Sequence, residues 1–147
     1  MPSRSFSHSV TADADVEDVW ERLDLPETWA NIGVVDRVFD PVFDDDRLVG
    51  FSFETMAAGK RYVGVATPAA REEGRVMGWR IENSEVAGTV EVRLTAANPG
   101  TEIEVDLHVK SVGMMSTMFF PVVAGAVGSG LPRAVDAFAD GLGSEAG

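Results

Sequence analysis

His8 is the one residue of this chain whose type and setting suggest catalysis. It lies in "RSFSHSVTA", where Phe6, His8 and Val10 alternate with Ser5, Ser7 and Ser9, so the imidazole shares the apolar face of a strand. An imidazole with an ordinary pKa of about 6.5 suits proton transfer near neutrality. The plainer alternative is a buried or rim histidine satisfied by a backbone carbonyl, and no obvious orienting carboxylate lies nearby in the chain. His108 falls among Glu104, Asp106 and Lys110 on the polar side of another strand and reads as surface. The chain has no cysteine, which excludes disulfides, thiolate-held metals and a thiol nucleophile. "DPVFDDD" is rich in carboxylates but lacks the spaced ligands, central glycine and closing glutamate of an EF-hand loop, so it reads as an acidic turn and no metal site is expected. "GAVGSG" follows no strand of a strand–helix–strand unit and has no Walker lysine, which argues against a phosphate cradle. No Ser-His-Asp order is recognisable, and no cofactor is expected.

The elements that position these residues follow from periodicity. After the first strand, Asp13 or Asp15 caps a short helix, "DVEDVWERL", with Val16, Val19, Trp20 and Leu23 on one face. Pro26 suits the first turn of a second short helix, "PETWANI", which Gly33 stops. From Val34 to Ser111 the period becomes two, and turn signals recur at "DDD", "AAGK", "REEG", "NSE" and "NPG", predicting six consecutive strands. "TEIEVDLHV" is the clearest, with Ile103, Val105, Leu107 and Val109 on one side and Glu102, Glu104, Asp106 and His108 on the other. Such alternation means one dry and one wet face, hence an antiparallel meander.

Ser111 to Pro132 carries no charged side chain, in a protein of formal net charge −12. A membrane span needs about 20 predominantly apolar residues. This stretch contains serines, glycines, Pro121 and Pro132, and no basic cluster flanks it. Val123, Val127, Leu131, Val135, Phe138 and Leu142 instead form one helical stripe that continues into "RAVDAFADGL", so the run is half of an amphipathic helix covering the sheet. No transmembrane segment is expected. Acidic side chains outnumber basic ones 24 to 12, which opposes binding to nucleic acid or anionic lipid. The same balance suits a salt-adapted cytoplasm, and a GC-rich genome gives a similar composition. "MPSRSFSHSV" holds no apolar run long enough for a secretory signal, so a cytoplasmic location is expected. The length fits a single domain over 1–147.

The order of strand, two short helices, six strands and long C-terminal helix resembles the helix-grip fold of the START-like or SRPBCC superfamily. Val10, Ala12, Val19, Trp20, Leu23 and Trp29 in "VTADADVEDVWERLDLPETWANIG" match its opening pattern, and "NPGTEIEVDLHVKSVG" is similar to its entry into the last strand. The sequence looks closest to the small bacterial and archaeal branch that includes polyketide cyclase/dehydrase-like proteins and a small component of carbon monoxide dehydrogenase. The resemblance implies an α+β fold, a curved seven-stranded antiparallel sheet gripping the C-terminal helix, with a cavity between them. It implies a small hydrophobic ligand there: a lipid, a quinone or a polyketide-like molecule.

In that fold His8 would face the cavity. Phe51, Phe53, Trp79, Leu107 and Met77 or Ile81 would point inward from the sheet toward Met118, Val127, Leu131 and Val135 of the helix. The same residues would serve equally as plain core. Tyr62, Glu54 and Arg80 are the polar side chains nearest that space, and Trp20 and Trp29 are expected to staple the short helices to the sheet. Pro121 and Pro132 put the continuity of the long helix in question, with a break expected near Gly128 to Pro132. Three functions remain open: a carrier; a cyclase/dehydrase-type enzyme using His8; and an accessory component of a larger enzyme complex, or a homodimer, joined through an apolar patch at Met114 to Val123.

Overall fold

The computed structural model describes residues 3–32, 36–57, 59–83, 86–97, 99–111 and 130–142. β1 (Ser3–Ala12) leads into α1 (Val16–Leu23) and α2 (Pro26–Ile32), followed by β2 (Arg37–Asp44), β3 (Arg47–Ala57), β4 (Lys60–Glu72), β5 (Val76–Glu82), β6 (Val86–Ala96) and β7 (Thr101–Ser111). Residues 130–142 are helical and form α3 as described here. The strands make one seven-stranded antiparallel sheet in the order β1-β7-β6-β5-β4-β3-β2. The chain thus meanders from β2 to β7 and closes by laying β7 beside β1, where His8 pairs with Val105.

Local chemistry explains the turns and the curvature. The β2–β3 hairpin joins Asp44 to Arg47 through Asp45 and Asp46, whose φ of 50° and 63° are the left-handed values of a type I′ turn. Aspartate tolerates that region better than most residues. Register shifts between Pro68 and Arg71 in β4, and between Phe39 and Val42 in β2, bend the sheet. At Gly64 a Cβ would collide with the Phe53 ring, so the absent side chain lets that ring lie against β4. At Gly100, with φ of 90°, a Cβ would strike the Ala12 carbonyl. The buried Thr101 hydroxyl beside it donates to the Ala14 carbonyl at 2.7 Å, fixing the chain as it leaves β1 for α1.

The core sits on one side of the sheet, as the alternation requires. Ile103, Val105, Leu107 and Val109 of β7, Val90, Val92 and Leu94 of β6, Met77 and Trp79 of β5, and Phe51 and Phe53 of β3 are all buried. α3 covers them with Leu131, Val135, Ala139 and Leu142 at helical spacing, and Phe138 packs at the margin. Full burial of a leucine or valine stabilises by about 1.5–3 kcal/mol. α1 adds Val19 and Leu23, and α2 adds Trp29 and Ile32. Gly130, Leu131 and Pro132 are helical, whereas Met118, Pro121, Val123, Val127 and Gly128 lie outside the described residues, as do the Met114 to Val123 patch and the Gly33 stop.

Candidate functional site

Between sheet and α3, the inward positions of separate strands converge. Phe51 (β3), Tyr62 (β4), Trp79 (β5), Leu107 (β7), Leu131 and Val135 (α3) are each less than one-tenth exposed, as is Phe53. The Trp79 indole meets Phe51 edge to face with ring centroids 5.1 Å apart, and meets Trp29 in the same manner at 5.8 Å. Such contacts hold an aromatic ring in one orientation beyond what area burial supplies. Tyr62 is buried on the same face of the sheet but stands outside the contiguous core that Phe51, Trp79, Leu107, Leu131 and Val135 share. Glu54 and Arg80, expected nearby, belong to the opposite face: Glu54 is ion-paired to Arg37 and Arg61, and Arg80 is exposed.

The three tryptophans of the sequence differ in how their N–H groups are treated. Trp29 Nε1 donates to the Leu23 carbonyl at 2.7 Å, and Trp20 Nε1 donates to Glu73 at 3.1 Å. Trp79, only 2% exposed, has no acceptor for its Nε1 among the described residues. Typical buried polar groups are paired, and a buried donor left alone is the exception that needs a reason.

His8 stands at the rim of the same space, half-buried on β1. Its Nε2 lies 2.8 Å from Oδ1 of Asp136 on α3. An orienting carboxylate therefore exists, contrary to the impression from the chain near His8. It comes from a residue 128 positions away that closes onto β1 only when α3 packs on the sheet. The available signal was helical phase: Asp136 follows Val135 and so lies at the border of the apolar stripe. Contact of Asp136 with Nε2 leaves Nδ1 as the ring nitrogen this carboxylate does not engage.

A second polar cluster went unread in the sequence. Arg71, at the end of the β4 bulge, bonds Asp24 at 3.2 Å and Glu73 at 2.8 Å, and its guanidinium lies 5.4 Å from the centroid of the Trp20 ring. Asp24 also accepts from the Leu48 amide, and Arg47 approaches Glu73 at 3.5 Å. The Arg71 hydrogen bond holds the Glu73 carboxyl below its ordinary 4.5, against a smaller opposing effect of burial. Burial alone would lower the Arg71 pKa, but Glu73 and Asp24 together raise it. Together these contacts tie α1 and the turn after it to β3, β4 and the turn after β4, which is an architectural task.

Two depressions open at the surface. A depression of about 280 Å³ is lined by Ser5, Ser7, Thr89, Glu91, Asp106 and His108 among others, with Ser5 bonded to His108 and Ser7 to Asp106. His108 is exposed there. A groove of about 360 Å³ separates the α1–α2 corner from α3, bordered by Leu25, Thr28, Phe138 and Leu142. Asp44, Asp45 and Asp46 form the exposed hairpin tip. Among the described residues no group of three or more His, Asp or Glu side chains is placed to hold a metal ion, and no helix is long and apolar enough to cross a membrane.

Comparison with known proteins places this architecture. The family model for polyketide cyclase / dehydrase and lipid transport proteins matches residues 3–147. No curated protein matches the sequence. Among solved structures, a START superfamily protein from Mycobacterium smegmatis superposes with a TM-score of 0.71 at 15% identity, covering 94% of this chain and 98% of that one. The Zhui aromatase/cyclase from Streptomyces sp. R1128 gives 0.68 at 16% identity, covering 95% of this chain and 94% of its own. A conserved protein from Geobacillus kaustophilus gives 0.69 at 10% identity, with 96% of each chain covered. At these identities the likeness is one of fold, the helix grip.

Proposed function

Because the chain belongs to the polyketide cyclase / dehydrase and lipid transport family, we propose that it binds a small hydrophobic molecule between the sheet and the C-terminal helix and acts as a carrier or binding protein. The observation that carries this reading is the convergence of Phe51, Trp79, Leu107, Leu131 and Val135, from three strands and α3, in one contiguous apolar core, with the His8–Asp136 pair joining β1 to α3 beside it. Apolar burial would supply the affinity, and the few polar groups would orient the ligand. Lipids, quinones and polyketide-like molecules all have that chemistry. Phe53 and Tyr62 are the further described residues of the proposed lining. The test is gentle purification followed by native mass spectrometry and organic extraction. A copurifying apolar molecule in near-stoichiometric amount is the expected result, and a clean apo mass that no lipid, quinone or aromatic ketone shifts would overturn the proposal.

The His8–Asp136 pair favours a second reading, an enzyme of the cyclase/dehydrase type working in the same space. An imidazole held at Nε2 by a carboxylate is oriented to exchange a proton through Nδ1 with a bound substrate. Under this reading, His8→Ala abolishes turnover of a polyketide-like substrate while its dissociation constant stays within about twofold, and Asp136→Asn lowers turnover by about 100-fold, the lower end of the usual range of acid–base catalysis. Equal turnover in wild type and His8→Ala would remove His8 from the chemistry.

A further inference from the structure

Trp79 Nε1 is the described side-chain atom that is buried, polar and unpartnered. It sits among Phe51, Trp29 and the apolar positions of β5 and β6, which offer no side-chain acceptor, and its ring is clamped by two edge-to-face contacts. A phenylalanine would meet the apolar demands of this position without burying a donor. Leaving an indole N–H there forfeits the hydrogen bond it makes to water in the unfolded chain. Trp29, the neighbouring ring, avoids that cost by bonding Leu23.

We infer that Trp79 Nε1 is a recognition donor, and that the molecule bound between sheet and helix carries a neutral carbonyl oxygen, as a ketone, ester or quinone does, placed to accept its hydrogen bond. The inference rests on the carrier reading and narrows its ligand class. Indole donates and does not accept. A carbonyl is satisfied by that single donor, whereas an alcohol brings an O–H of its own that also needs an acceptor. A carboxylate would bring a charge into a largely apolar space. A plain hydrocarbon would leave the indole as it is now.

The experiment compares 1-tetralone with tetralin, two molecules of one skeleton that differ by the carbonyl. Calorimetric titration of the wild-type protein is expected to give about tenfold tighter binding of the ketone, the worth of one hydrogen bond to an otherwise orphaned donor. In Trp79→Phe the ratio of ketone to hydrocarbon affinity falls to about one, whatever the change in tetralin affinity itself. In the intact protein, the indole N–H resonance of Trp79 moves downfield with tetralone and not with tetralin, a readout that survives even if the variant folds poorly. Equal affinities in wild type, a preference that persists in Trp79→Phe, or an unmoved indole resonance with tetralone bound would each overturn the inference and leave the carrier reading standing. Failure of both probes to bind, together with a clean apo mass that no lipid or quinone shifts, overturns both. Recovery of a copurifying ligand with no carbonyl oxygen overturns the inference alone.

Discussion

The corner where α1 and α2 meet the sheet and the interior beneath α3 share a boundary, the edge-to-face contact of Trp29 with Trp79, yet they treat polar groups in opposite ways. In the corner, partners are redundant. Thr28 donates to the Arg22 carbonyl at 2.6 Å, Trp29 to the Leu23 carbonyl, and Arg71 divides its guanidinium between Asp24 and Glu73. In the interior, Trp79 keeps a donor unused among the described residues, and the rim is joined to α3 by the His8–Asp136 contact. Redundant pairing makes a joint that survives the loss of one bond, which suits a scaffold. An unspent donor does nothing for the scaffold, and it acquires a use only when something else occupies the space beside it.

Substitutions that separate these two regions have graded consequences. Trp29→Ala removes a buried aromatic, its hydrogen bond and half of the tryptophan pair, and should lower unfolding free energy by about 3–5 kcal/mol in urea titrations. An unchanged midpoint would refute its placement as the staple of α2. Asp24→Ala strands the Leu48 amide and one side of Arg71, and a loss of about 2 kcal/mol is expected by the same measurement. A loss above about 4 kcal/mol would show that Glu73 does not hold Arg71 by itself and would remove the redundancy on which the contrast rests.

Smaller effects test the surface part of the comparison. Glu73 is half exposed, so its ion pairs are screened and Glu73→Gln should cost less than about 1 kcal/mol. The sign of its pH dependence is set by the lowered pKa. The folded state binds this proton less readily than the unfolded chain, so the contribution is present in full above 4.5 and is lost as acid carries the pH down through the folded value. Paired thermal melts of wild type and Glu73→Gln should therefore converge below that point, and a gap that widens in acid would reverse the assignment. His8→Ala is expected to change stability least, by under about 0.5 kcal/mol, because the rim pair is exposed on its Asp136 side. A loss comparable to that of Asp24→Ala would make His8–Asp136 another structural clasp and remove the argument for its chemistry.

Much of the fold was legible because burial imposes a period. Ile103, Val105, Leu107 and Val109 alternate with charged residues over a strand buried on one side, and Leu131, Val135 and Leu142 keep helical spacing through α3. Turn chemistry was equally direct at Asp44 to Asp46 and at Gly100. The site was legible only in part. Which face Phe51, Trp79 and Leu107 occupy follows from alternation, whereas the directions of Glu54 and Arg80 stayed open in the sequence, and the structure turns both to the opposite face. The Arg71 cluster left no trace in the sequence, since a bulge in β4 decides where that side chain lands.

By itself the sequence determined the class of each segment, the dry face of each strand and the absence of thiol chemistry, because these depend on composition and on neighbours one to four residues away. The tertiary structure alone decided that Asp136 meets His8, that Arg71 bridges Asp24 and Glu73, and that the Trp79 N–H finds no acceptor among the described residues. Those outcomes depend on strand order, register and the seating of α3, which bring together groups tens to more than a hundred residues apart. No local period records such distances, and it is on them that the case for a ligand rests.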